Sequence, residues 1–257
     1  MPELLHSKII GKGKPLVILH GLLGMGDNWI SLARRYAGAG FQVHLIDQRN
    51  HGKSFHNDEM NYEVMTTDLA NYLSHYQISE IDLLGHSMGG KTAMFFSLTY
   101  PELVNKLIIV DIAPKYYPPH HQFIFKALNK IKLENFSSRN EIDKFLAKDI
   151  PQTAIRQFLM KNLTRNKDHS FRWKANLPVL EDSLDELGSA LPPHSGIETD
   201  TLYIKGNLSK YISEKDLPLI KAHFPKAQFA GIEQAGHWVH AEQPEKFFQT
   251  SLIFLKN

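Results

Sequence analysis

Three side chains in this 257-residue sequence could together open an acyl carbonyl. The first is Ser87, in the stretch Ile81-Asp82-Leu83-Leu84-Gly85-His86-Ser87-Met88-Gly89-Gly90. Glycine loses the most backbone entropy on folding, so strand and helix interiors avoid it. An apolar run that ends in Gly-His-Ser-Met-Gly therefore needs backbone shapes that a Cβ forbids. The pattern fits a strand that turns sharply into a helix and leaves a serine hydroxyl exposed at the turn. Serine at its ordinary pKa is a weak nucleophile; it needs a base, and the base needs a third group to orient it. His237 lies just past the last strand-like run and before the final helix, at the same carboxyl edge of a sheet as Ser87. His240, three residues on, is the alternative base.

Asp111 ends the run Leu107-Ile108-Ile109-Val110 and is the candidate orienting acid. Its other reading is a cap on the turn before Pro114. Many hydrolases carry the acid after the following strand instead, in a Gly-x-x-Asp pattern. Here that stretch reads Lys205-Gly206-Asn207-Leu208-Ser209, with serine where the acid would stand. Asp200 precedes that strand, at the wrong edge, and Glu214 and Asp216 fall in a later helical run. Asn207 or Ser209 could assist Asp111 by a hydrogen bond. An oxyanion needs two backbone N–H donors. Met88, after the nucleophile, and Leu22, in the loop His20-Gly21-Leu22-Leu23-Gly24, are the candidates. Both side chains, with Leu23, would shape the acyl pocket. His86 is expected to pack, and Lys91 to be a solvated or cap-facing helix residue.

These residues need elements to hold them. Apolar runs at 16–19, 41–46, 81–84, 107–110, 201–204 and 227–232 read as buried strands. Helical patterns at 29–37, 62–76, 91–100, 214–223 and 244–256 separate them. Such alternation implies parallel strands joined by crossover helices. The pattern breaks after Val110. From 115 to about 191 no strand is expected, and 123–131, 139–148, 152–163 and 177–187 read as helices between Pro118-Pro119 and Pro192-Pro193. The expected organisation is a core of 1–114 and 196–257 with a helical cap inserted at 115–195. Phe123, Phe125, Leu128, Phe158, Trp173 and Leu177 of the cap, with Trp238, are candidate pocket walls.

Composition narrows the class. The chain is 42% apolar and 22% charged, as globular proteins are, and has no cysteine. Disulfide and thiolate chemistry are thereby excluded. A net charge of +2 argues against a nucleic-acid platform. No apolar run reaches the roughly 18 residues of a membrane span, and the N-terminal residues from Met1 to Lys8 lack a secretory pattern, so a cytoplasmic location is expected. The charge is uneven, however. Between 115 and 167 there are eleven Lys or Arg against four Asp or Glu. This reads as solvated helix faces or as a positive approach surface for an anionic substrate.

The segments His20-Gly21, Asp47-Gln48-Arg49-Asn50-His51-Gly52-Lys53-Ser54, Gly85 to Gly89, Asp111 and Gly236-His237 together resemble the α/β-hydrolase superfamily over nearly the whole chain. Asn50, the Gly-His-Ser-Met-Gly-Gly-Lys run, Val110 to Pro114 and Phe171 to Leu177 are similar, more narrowly, to the YbfF-type esterases and the abhydrolase-domain-containing 11 proteins. The resemblance implies an α/β fold with a mostly parallel central sheet flanked by helices. It implies a serine hydrolase acting on a small-molecule acyl ester or thioester, acyl-CoA included, with no cofactor and no metal. Asp47 and Arg49 are expected to fix their loop. The same fold also hosts lyases, and a protein that keeps the triad only to bind a small molecule is a further alternative. A haloalkane dehalogenase is disfavoured because its nucleophile is an aspartate, where this chain has Ser87.

Overall fold

A computed structural model describes residues 3–193 and 196–257. The chain forms, in order, β1 (Ser7–Ile10), β2 (Lys14–Leu19), α1 (Ile30–Gly38), β3 (Phe41–Ile46), α2 (Tyr62–His75), β4 (Ile81–His86), α3 (Met88–Thr99) and β5 (Val104–Val110). Then follow α4 (Gln122–Asn129), α5 (Arg139–Leu146), α6 (Thr153–Met160), β6 (Leu163–Arg165), β7 (Phe171–Trp173) and α7 (Leu177–Asp182). The chain closes with β8 (Asp200–Gly206), α8 (Leu217–His223), β9 (Ala227–Ile232), α9 (Val239–Glu242) and α10 (Pro244–Lys256).

Seven strands make one sheet in the order β1-β3-β2-β4-β5-β8-β9. All neighbours are parallel except β1, which runs antiparallel to β3. Successive side chains of a strand face opposite sides. In β2, Val17 and Leu19 join α2 and α3 on one face, while Leu16 and Ile18 join α1 and α10 on the other. Both faces are therefore covered, which is why the central strands read as continuous apolar runs instead of alternating ones.

Two departures from the sequence reading stand out. β1 was not expected; it has only four residues, exposed or half-buried, and just two of them, Ile9 and Ile10, are apolar. The stretch from 115 to about 191 was expected to lack strands, yet β6 and β7 pair as an antiparallel hairpin. Each has three residues, too few to show a period. The C-terminal boundary expected at 195, like Met1 and Pro2, lies outside the described residues.

Gly89 shows how tightly the elbow sits on the sheet. A Cβ there would stand 2.5 Å from the carbonyl oxygens of both His20 and Leu19. Main-chain atoms cannot swing aside, so Gly89→Ala is expected to cost about 3 kcal/mol. Chemical denaturation measures it, and a loss below about 1 kcal/mol would show that α3 can shift away from β2.

Candidate active site

Three elements, β4, β5 and β9, each lead to one candidate group at the carboxyl edge of the sheet. β4 ends at His86, and Ser87 follows with φ 54° and ψ −119°, a left-handed conformation that a non-glycine residue seldom adopts. Neighbouring structure holds it there. The Ser87 N–H donates to the Val110 carbonyl at 3.0 Å, and the Ser87 carbonyl accepts from the Lys91 N–H at 3.0 Å. Gly85 lets the returning helix cross close by, since a Cβ there would meet the Gly89 oxygen at 2.2 Å.

β5 delivers Asp111, which is fully buried and also has positive φ, 51°. Its Oδ1 accepts from the Gly206 N–H at 3.2 Å. Its Oδ2 accepts from the Ser209 hydroxyl and from His237 Nδ1 at 2.8 Å. The residue found where an acid is commonly carried thus donates to the acid on the adjacent strand. Asn207 instead donates to Glu233 at 2.6 Å. Asp200 opens β8 at its far end, and Asp216 pairs with Lys115 at 2.8 Å.

The loop after β9 delivers His237. Glu242 ties that loop down by accepting from the N–H groups of Gly236 at 2.6 Å and Trp238 at 3.2 Å. Tyr211 stacks on the imidazole with ring centroids 3.8 Å apart and planes at 15°. His86 does more than pack: its Nε2 donates to the His237 carbonyl at 2.9 Å. Among the described residues, the histidine paired with Asp111 is His237. His240 stacks on Trp29 at 3.9 Å.

Burial is the largest influence on the pair, lowering His237 and raising Asp111. A neutral imidazole whose Nδ1–H donates to an ionised carboxylate satisfies both groups, and leaves Nε2 as a base. Ser209 and the Gly206 N–H hold Asp111 down against the effect of burial. Ser209→Ala removes one of these donors, so the carboxyl pKa rises and it protonates at higher pH. The acid limb of kcat/KM against pH is then expected to move up by about one pH unit. An unmoved limb would show that Asp111 does not control it.

The loop after β2 carries the first candidate oxyanion donor, the Leu22 N–H. Its Leu23 N–H donates to His51 Nε2 at 3.1 Å and its Gly24 N–H to the Gly21 carbonyl at 2.9 Å. Leu22 keeps a free N–H among the described residues. Met88 opens α3, where a helix leaves its N–H groups without an internal acceptor. A web of buried side chains fixes this loop. Gln48 Nε2 donates to the His20 carbonyl at 2.7 Å, and Thr92 donates to Gln48 Oε1 at 2.9 Å. Burial holds His20 down to about 4 and His51 to about 3, so both stay neutral and keep one nitrogen as acceptor. Asp47 and Arg49 fix the neighbouring loop separately. Asp47 accepts from the Gly26 N–H at 2.7 Å, while Arg49 pairs with Asp68 at 2.6 Å.

The 115–195 segment reaches into this region. Asn162 Nδ2 donates to the Leu23 carbonyl at 2.7 Å, and Asn176 Nδ2 to Asn50 Oδ1 at 3.0 Å. Lys91, expected to be solvated or cap-facing, is buried and faces the 115–193 stretch. Its ammonium donates to the carbonyls of Lys115, at 2.6 Å, and Ser189. Burial lowers it to about 7. Several cations of the segment are held in place by partners, and among the acids that pair with them Asp216 alone comes from outside the segment. Lys115, Lys130 and Arg156 pair with Asp216, Asp149 and Asp143, and Arg139 and Arg165 bind carbonyls.

A cavity of about 500 Å³ opens over Ser87 and His237. Leu22, Leu23, Phe123, Phe158 and Trp238 line it, and Lys161 adds a cation. Phe125, Leu128, Trp173 and Leu177, also expected as walls, do not. Phe125 is fully buried in the core beside Leu128 and Leu177, and Trp173 packs on that core from the hairpin. On the short helix α4, Phe123 and Ile124 face the cavity and Phe125 turns inward. Periodicity alone does not say which side is which. Tyr211, His51, Gln48 and Asn162 were missed. His51 and Gln48 lie within the Asp47–Ser54 run, so their type and place were a usable signal; Tyr211 and Asn162 carried none.

A family profile described as alpha/beta hydrolase fold matches residues 14–244. The sn-1-specific diacylglycerol lipase ABHD11 of Danio rerio is 36% identical over 99% of this chain and 83% of its own length. Esterase YbfF of Escherichia coli is 34% identical over 95% of this chain and 93% of its own. A solved marine microorganism esterase superposes with a TM-score of 0.95 and 42% identity, covering 98% of this chain and 100% of the other.

Proposed function

This chain belongs to the α/β-hydrolase fold family, and on that premise we propose that it is a serine hydrolase of carboxylic esters working through an acyl-enzyme. The observation that carries the reading is the 2.8 Å contact from Asp111 to His237 Nδ1, set at the same cavity as the strained Ser87. It leaves His237 Nε2 as the atom free to take a proton.

The cycle follows from that arrangement. Ser87 Oγ attacks the acyl carbonyl while His237 Nε2 removes its proton. The N–H groups of Leu22 and Met88 receive the oxyanion. Asp111 stabilises the imidazolium, which protonates the departing alcohol. Water then attacks the acyl-enzyme by the same proton route and frees Ser87. Thioesters enter the same cycle with a thiol as leaving group. A CoA thioester would present its phosphates to Lys161 at the cavity wall. Turnover of acyl-CoA that falls steeply with salt, beside unchanged turnover of a neutral ester, supports that substrate; equal salt dependence removes it.

A fluorophosphonate probe tests the central claim. It should label Ser87, and p-nitrophenyl acetate should be hydrolysed with an initial burst. Labelling without ester turnover would favour a lyase of the same fold, and no labelling would overturn the proposal.

A further inference from the structure

Ser87 stands where two cavities meet. Beside the large one lies a second of about 40 Å³, lined by Met88, Tyr62, Ile112, Tyr117 and Leu187, with Lys91 at its wall. Leu22, Ser87 and Tyr211 belong to both, but His237 lines only the large one. Resting on the esterase reading above, we propose that the small cavity receives the acyl group and the large one the leaving group. The protein would then act on short-chain acyl esters of long, apolar alcohols.

The argument is the stereochemistry of the tetrahedral intermediate. Its carbon carries four groups: Ser87 Oγ, the oxyanion, the acyl substituent and the leaving oxygen. The oxyanion is committed to the N–H groups of Leu22 and Met88. The leaving oxygen must take a proton from His237 Nε2, so it lies on the side His237 lines. That is the large cavity, which Phe158, Ile155 and Trp238 make apolar. The acyl substituent takes the remaining direction, toward Met88 and Ile112. A water occupies about 10–15 Å³ on this measure of cavity volume, so about 40 Å³ holds roughly three heavy atoms. Acetyl to butyryl groups match that space, and a hexanoyl tail would have to extend beyond it. The cap residues first taken as walls for an acyl chain become walls for the alcohol.

Two isomeric esters separate the alternatives without any difference in composition. Hexyl acetate and ethyl hexanoate have the same atoms and similar hydrophobicity, but carry the long chain on opposite sides of the ester. The wild-type protein should hydrolyse hexyl acetate with kcat/KM at least about tenfold above ethyl hexanoate. Leu187→Ala, which lengthens the small cavity, should narrow that ratio by raising turnover of ethyl hexanoate. Equal rates, or a preference for ethyl hexanoate, would overturn the assignment while leaving the esterase reading intact. Hydrolysis of neither ester, with Ser87 unlabelled by a fluorophosphonate, would remove both.

Discussion

Ser87→Ala is expected to lower kcat for ester hydrolysis about 10⁵-fold or more, with little change in stability. The fold should survive because the bonds that hold the turn are main-chain bonds, to Val110 and from Lys91, and alanine keeps them. The lost hydroxyl belongs to neither apolar core; its oxygen is the atom proposed to form the new bond. What remains is the stabilisation of a water attack by the Leu22 and Met88 N–H groups. The loss should not deepen when His237 is also replaced, since base and nucleophile act as one unit. Steady-state hydrolysis of p-nitrophenyl acetate, with a melting curve on the same sample, measures both quantities. A variant that keeps more than about a tenth of wild-type turnover would place the nucleophile elsewhere.

Asp111→Asn should cost about 10⁴-fold in kcat at neutral pH. The substitution preserves size, and the carboxamide oxygen can still accept from Ser209. Its NH2 group, however, can present a donor to His237 Nδ1. The imidazole then keeps its proton on Nε2, where it cannot accept one from Ser87. Because Asp111 is fully buried, water cannot supply the missing acceptor. Some activity should return at high pH if hydroxide replaces the lost base. Turnover within about tenfold of wild type would mean that Asp111 only braces the strand ends.

The sequence disclosed those parts of the site whose local backbone is unusual. Gly85 and Gly89 mark the elbow because crossing main chains leave no room for a Cβ there. Asp111 was visible as a charge ending an apolar run, and His237 as the histidine after the last strand. Contacts made at long range left no such trace. Tyr211 stacks on His237 across 26 residues of chain, and nothing near Tyr211 distinguishes it from other aromatics. β1, β6 and β7 escaped because each is short and borders solvent. Phe123 and Phe125 show the same limit on a helix: two residues apart, one meets the cavity and the other the core.

The bond from Asn162 to the Leu23 carbonyl has an architectural consequence. Leu23 adjoins the Leu22 N–H proposed to receive the oxyanion, so the segment between β5 and β8 helps to set the shape of the loop beneath it. It is not an interchangeable roof. A graft from a relative with a different selectivity would have to bring an amide to the same spot, or the transplanted covering would loosen the machinery it was meant to redirect.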